Sequence, residues 1–354
     1  MQNLELIKKL SEAFGPSGFE DDVISVVRSF APEQISVSED SLKNLCLRRT
    51  EEPGKPVVML DAHSDEVGFM VQAIRPDGTM AFLPLGGWVP ANVPAHRVLV
   101  RAKSGELVPG LTGSKPPHFL SNAEKNRAPE LGEMWIDVGA ANALEAENEF
   151  GIALGAPVSP DVKFEYDAKH DLMHGKAFDN RLGCAAILSV LSDLENEPLS
   201  VNVVGAISSQ EEVGARGARV TVHCVKPDAA IVFEGAPADD RGTESWRIQT
   251  GVHRGPMLRH IDAGMITNPR FQRFALDLAQ ELGIPVQEAV RAGGQTDGAP
   301  IHLSEDGIPC IVIGFPVRYA HTHYGIASLE DFRQGVRLAE EIVRRLDRET
   351  IESF

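Results

Sequence analysis

The strongest constraint on folding is a set of four short runs, residues 57–60, 201–207, 229–233 and 310–315, that are apolar on both faces of an extended chain. A strand with two dry faces needs a covering layer on each side, and parallel sheets obtain those layers from crossover helices. Helical patterns occur between and around the runs. Leu4, Ile7, Leu10 and Phe14 share one helical face, and Val23, Val26, Val27 and Phe30 share another, with the breaker GPSG at 15–18 between them. Residues 181–194 predict a helix whose core positions are Leu182, Ala185, Ala186, Leu188 and Leu191. A last helix is expected from Ser328, with Ser328 and Asp331 as a capping box and Phe332, Val336, Leu338, Ile342 and Val343 as its apolar face. The expected fold class is therefore α/β, a central mixed, largely parallel sheet flanked by helices.

From about residue 68 to 163 the texture changes to short segments broken by proline and glycine, without helical periodicity. We read this as a small β domain, 68–163, inserted into an α/β domain formed by 1–67 plus 164–354. The chain has 354 residues and 43% hydrophobic residues, enough for a sizeable core in two domains. Its net charge of -17 opposes binding to nucleic-acid phosphates or to anionic membrane surfaces. No apolar run approaches the length of a membrane span, and the first ten residues lack a signal core, so a cytoplasmic location is expected. Cys46, Cys184, Cys224 and Cys310 are scattered, with no CxxC pair, and are expected to be buried thiols.

The residues that carry chemistry fall just past the predicted strand ends or at a helix start, where open α/β sheets bind ligands. They are His63 and Asp65 in LDAHSDEVGF, Asp179 in AFDNRLG, Glu211 and Glu212 in SSQEEVGARG, Glu234 in IVFEGAPADD, and His321 in RYAHTHYG. Taken singly, each has an ordinary alternative: Asp179 as a helix N-cap, Glu211 and Glu212 as solvated loop charge, His321 and His323 as turn residues. Together on one rim they form a plausible ligand set for two ions about 3.5–4 Å apart. Asp179 would bridge, His63 and Glu234 would serve one ion, and Glu212 and His321 the other. Glu211 would remain free as a base, and Asp65 would orient the His63 imidazole. Imidazole and carboxylate donors without thiolate suit zinc, cobalt or manganese.

These motifs, in this order, resemble the tetrahedral (TET) aminopeptidases, zinc-dependent exopeptidases that include glutamyl and deblocking aminopeptidases. The resemblance runs from GPSGFE through DAHSDEVGF, AFDNRLG, SSQEEVGARGA and GGQTDGAPIHLSEDGIP to RYAH, and so covers essentially the whole chain. It implies a metal-dependent aminopeptidase acting on free N-termini of peptides, with two divalent metal ions per subunit. It also implies an inserted β-barrel-like dimerisation domain and self-association into a twelve-subunit tetrahedron built from dimers. By motif match, His63, Asp179, Glu212, Glu234 and His321 become metal positions and Glu211 and Asp65 catalytic ones.

The chain departs from the pattern twice. Glu234 stands where many relatives have aspartate, and RYAH continues as Thr322-His323-Tyr324-Gly325, so His323 competes with His321 for the ligand role. The segment 293–298 is expected either as a substrate loop or as an ordinary turn, with Asp297 a candidate for the substrate ammonium. Arg254 and His260 are pocket candidates of the same kind. The competing functions are a deacylase or carboxypeptidase on the same metal pair, a glucanase, and a non-catalytic metal-binding scaffold.

Overall fold

The computed structural model describes residues 2–127 and 129–354. Met1 and Ala128, each inside one of the expected domains, lie outside the described residues. In chain order the strands are β1 Ser36–Glu39, β2 Leu45–Arg48, β3 Val57–His63, β4 Gly68–Ile74, β5 Met80–Leu85, β6 Arg97–Arg101, β7 Leu107–Gly113, β8 Trp135–Asp137 and β9 Pro157–Pro160. They continue as β10 Glu165–Asp167, β11 Leu172–Gly175, β12 Asn202–Ser208, β13 Ala229–Pro237, β14 Met257–Ile261, β15 Gln287–Val290, β16 Cys310–Val317 and β17 Gly325–Ala327.

The main sheet has eight strands in the order β1-β2-β12-β3-β13-β16-β14-β15. Its centre, β12-β3-β13-β16, is parallel throughout and contains all four of the doubly apolar runs. The flanks are mixed: β2 and β14 run antiparallel to their central neighbours. Alternate residues of the central strands feed two cores. Val58, Leu60, Ile231 and Ile313 join the larger core with helices Gln2–Glu12, Asp21–Phe30, Phe178–Asp193, Pro269–Leu282 and Leu329–Arg345. Met59, Val204, Val232 and Val312 face a smaller core under helix Ala218–Val225. Both faces of each strand are thus dry, as the unalternating sequence requires.

Residues between β3 and β10 leave the sheet and close a six-stranded barrel in the order β4-β5-β8-β7-β6-β9. Its interior is filled by Phe69, Val71, Met80, Phe82, Val98, Val100, Ile136 and Val158. A buried ionic junction ties the barrel to the sheet domain. Glu66, on the segment leaving β3, accepts from Lys176 at 2.5 Å, from the Ser159 hydroxyl of β9 and the Gly15 amide at 3.1 Å, and lies 3.4 Å from Arg181. Burial pushes Lys176 down to about 8, so its charge depends on Glu66 beside it.

Two local expectations change. Ser328 caps helix Leu329–Arg345, which a short helix Arg348–Glu352 follows, by accepting from the Asp331 amide, but the Asp331 carboxylate does not return the bond; it accepts instead from the His253 and Gly255 amides, each at 2.7 Å. Two backbone donors in a dry site outcompete the single one of a capping box. Cys224 is exposed, unlike the other three cysteines, and its Sγ lies 3.6 Å from that of Cys46. No helix among the described residues is long and apolar enough to cross a membrane.

Removing the Glu66 carboxylate leaves two buried cations without their partner. We expect Glu66→Ala to lower unfolding stability by about 3–5 kcal/mol, measured by chemical denaturation; a loss within experimental error would show that the junction is not a stability determinant.

Candidate active site

Four of the five proposed ligands lie on a central strand of the main sheet or on the turn that follows one. His63 is the last residue of β3, in register with Ser208 at the end of β12. Glu211 and Glu212 follow β12 on a turn in which Gln210 adopts a left-handed φ of 56°. Glu234 lies within β13, level with Gly314 of β16, and His321 occupies the turn after β16, itself left-handed at φ 58°.

Asp179 arrives from the other direction, at an irregular start of helix Phe178–Asp193 where Asp179 and Asn180 are not helical. Asp179 does not cap this helix: Ala177 is the N-cap residue and offers no side-chain bond. The neighbouring Asn180 fastens the segment instead, donating to the Phe233 carbonyl at 2.8 Å and accepting from the Gly183 amide at 3.1 Å. Close approach also requires Gly235, because a Cβ there would lie 2.4 Å from the Asp179 Cα.

The result is two overlapping clusters. Asp179 Oδ1 lies 3.2 Å from His63 Nε2, which is 3.7 Å from Glu234 Oε1. Asp179 Oδ2 lies 3.4 Å from His321 Nε2, which is 3.4 Å from Glu212 Oε2. In each triad, His63-Asp179-Glu234 and Asp179-Glu212-His321, the potential ligand atoms lie within 4.8 Å of one another. Glu211 belongs to neither triad; its Oε2 is 3.9 Å from His63 Nε2. The His321 Nδ1 is 3.0 Å from the Gly87 carbonyl of the barrel, which can only accept. That contact assigns the proton to Nδ1 and turns Nε2 toward the carboxylates. His323 lies elsewhere, buried in the barrel junction with its ring stacked on His96 at 4.1 Å and against Trp88 at 5.0 Å.

Asp65 is fully buried behind His63. His63 Nδ1 hydrogen-bonds the Asp65 backbone carbonyl at 3.2 Å and lies 3.4 Å from the carboxylate Oδ1, which accepts from the Glu211 amide at 2.9 Å, while Oδ2 accepts from the Glu212 amide at 3.2 Å. So many acids in a dry space perturb one another. Burial pushes Glu211 up to about 7, and raises Glu212 and Glu234 well above the usual carboxylate range. Burial also works against the Asp179 anion, but hydrogen bonds with His321 and His63 outweigh it and hold Asp179 low. The reverse balance applies to His63: burial lowers it, and contacts with Asp179, Asp65 and Glu234 carry it well above its ordinary value. A site that favours protons on its glutamates and imidazoles is one in which cations can take the place of those protons.

A pocket of about 400 Å³ opens from the clusters, walled by Glu211, Asp239, Met257, Arg259, Arg291 and the 293–295 backbone. The glycine segment thus reaches the pocket, whereas Asp297 is buried with its carboxyl beside Asp61. Arg254 is exposed and His260 pairs with Glu288 at 2.7 Å; the wall is formed instead by Arg259 and Arg291, which the sequence reading passed over. Arg259 alternates with His260 along β14, and that period-two alternation was the available signal for which of the two faces the interior.

Residues 43–338 match the M42 glutamyl aminopeptidase family. The glutamyl aminopeptidase of Lactococcus lactis subsp. cremoris (strain MG1363) is 34% identical over 355 residues, covering 99% of this chain and 98% of that protein. Among solved structures, the TET aminopeptidase from the marine sediment archaeon Thaumarchaeota archaeon SCGC AB-539-E09 superposes with a TM-score of 0.94 at 36% identity, over 100% of this chain and 99% of that one. The TET1 peptidase of Pyrococcus horikoshii, described as able to assemble into a tetrahedron or a large octahedral shell, has a TM-score of 0.86 at 24% identity, over 97% of this chain and 100% of that one, a likeness of fold. Similarity at this level along nearly the full length goes beyond common architecture, and the chain belongs to the M42 glutamyl aminopeptidase family, metal-dependent hydrolases of peptide bonds.

Proposed function

We propose that this protein removes N-terminal residues from peptides at a two-ion centre in which Asp179 is shared, His63 and Glu234 complete one ligand set, and Glu212 and His321 complete the other. The observation that carries the reading is the division of Asp179, one oxygen turned to each histidine. The donors fit divalent ions: three carboxylates and two imidazoles without thiolate suit zinc first, with cobalt or manganese also compatible. Glu212 Oε1 is buried and accepts no hydrogen bond among the described residues, as expected of an oxygen reserved for a cation. When bound, the ions supply Lewis acidity to the scissile carbonyl and to the attacking water.

The chain's own residues do the rest. Glu211 lies outside both ligand sets yet on the pocket wall, so it takes the proton of the attacking water and returns it to the leaving amine. Burial favours the protonated form of Glu211, which suits a group that must hold that proton between the two transfers. Asp65 fixes the His63 ring at Nδ1, by its main-chain carbonyl at 3.2 Å and its carboxylate at 3.4 Å, and the same carboxylate holds the Glu211 and Glu212 amides, coupling a ligand to the base.

The pocket supports a preference for acidic N-terminal residues. Arg291 is occupied by Asp239 at 2.8 Å and Thr250 at 2.7 Å. Arg259 spends Nη1 on Asp262 at 3.1 Å and stands on the pocket wall, where the rest of its guanidinium meets a substrate carboxylate. Self-association into a dodecamer built from dimers belongs to the same proposal. It is supported by the assemblies of the Pyrococcus horikoshii relative and by the exposed barrel residues Leu83, Leu111 and Leu154. A cytoplasmic location is supported by four free thiols.

Glu211→Gln is expected to lower kcat by about 10²–10⁴-fold with metal content unchanged; substantial remaining turnover would remove Glu211 from the mechanism. Stripping the metal with a chelator should abolish release of N-terminal residues, and zinc should restore it. Arg259→Met is expected to cost about 10–100-fold in kcat/KM on glutamyl substrates and little on leucyl ones, since a charged hydrogen bond is worth about 1.5–3 kcal/mol; equal losses on both would deny Arg259 a role in selectivity. Light scattering should give a mass near twelve times 38.4 kDa, and a monomeric mass at micromolar concentration would refute the assembly.

A further inference from the structure

The loop 15–20 reads in sequence as a helix breaker, yet it is laid along the back of the candidate centre. Pro16 bridges Glu66 in a parallel pairing, and the Glu66 amide donates to the Gly15 carbonyl at 3.0 Å. This registration delivers Ser17 to Asp65: the Ser17 hydroxyl donates to Asp65 Oδ2 at 2.5 Å, with both residues buried. Asp65 thereby joins three elements, the loop through Ser17, the end of β3 through His63, and the turn after β12 through the Glu211 and Glu212 amides.

Glu20 makes a second link. It is fully buried, and its Oε1 accepts from the Gly18 amide at 2.8 Å and from the Gln210 amide at 3.2 Å. Gln210 is the left-handed residue immediately before Glu211, so its backbone conformation aims both glutamates. Burial, reinforced by the nearby Asp65 carboxylate, raises Glu20 to about 7. Its other oxygen, Oε2, is buried without a partner among the described residues, a poor setting for a full charge and a tolerable one for a neutral acid. Neither residue reaches the pocket.

We infer that Ser17 and Glu20 are positioning residues for hydrolysis, Ser17 by fixing the rotamer of Asp65 and Glu20 by holding the backbone of the 210–212 turn. The inference rests on the roles proposed above for Asp65 and Glu211. A carboxylate that must serve a histidine and two amides at once has little angular freedom to spare. Losing the Ser17 donor lets it rotate within the site, moving the His63 ring and the Glu211 carboxyl together.

The test compares zinc-loaded wild type, Ser17→Ala, Asp65→Asn, the double variant S17A/D65N, Glu20→Leu and Glu20→Gln on an aminoacyl p-nitroanilide. Zinc affinity is measured against a competing chelator, and thermal melting monitors the fold. We expect S17A to lose about 10–100-fold in kcat with KM nearly unchanged and to bind zinc more weakly by a similar factor. In the D65N background S17A should cost nothing further, because its effect passes through Asp65. E20L should lose kcat, and E20Q, which keeps the accepting oxygen and the neutral state, should recover most of it. Wild-type kcat and zinc affinity in S17A, an S17A loss that persists in full on top of D65N, or an E20Q as slow as E20L would each overturn the inference. Should S17A fail to fold, the comparison of the two Glu20 variants decides. A wild type that releases no residues from any peptide sinks the aminopeptidase reading itself, whereas an active wild type matched by S17A sinks only the positioning roles.

Discussion

The arrangement depends on what a folded protein can do with several carboxyl groups in one dry space. Around Asp179 stand Glu211, Glu212, Glu234 and, one layer behind, Asp65, against two imidazoles. Burial favours the protonated form of the glutamates, and the neighbouring carboxylates favour that of the histidines. Such a cluster weakens the fold that contains it and is tolerable only where the rest of the molecule holds it rigidly. Much of the architecture can be understood as that support.

Three separate parts of the chain supply it. The loop between the first two helices reaches Asp65 and the 210–212 turn. Asn180 and the space left by Gly235 press the Asp179 backbone onto the end of β13. The barrel contributes the Gly87 carbonyl that orients His321, while His323, two residues on, is wedged among His96 and Trp88. The inserted domain therefore touches the chemistry directly, and the Glu66 junction keeps it in register with the sheet.

Much of this was legible in the chain because the strongest signals are local. The doubly apolar runs became the four parallel central strands, and the helix faces at Leu4–Phe14 and Phe332–Val343 became core. The acids and histidines at the strand ends did converge, since a parallel sheet brings like ends of its strands to one rim. The outer strands β1, β2, β14 and β15 were not foreseen: each has only four or five residues, β1 and β15 have Ala289 as their one buried residue, and the apolar stretches of β2 and β14 are cut short by arginine. The Asp331 half of the capping box failed for a related reason, its carboxylate being claimed by amides about 80 positions away in the chain.

What the sequence determined by itself is the sheet's core and the set of acids and histidines that meet at its rim, because periodicity and residue type are properties of short windows. Tertiary structure alone decided that the Gly87 carbonyl orients His321, that Arg291 walls the pocket, and that the breaker at 15–18 carries Ser17 to Asp65. The physical reason is range. A hydroxyl meeting a carboxylate across 48 positions, or a barrel carbonyl meeting an imidazole across 234, leaves no trace in local pattern until the chain has closed on itself.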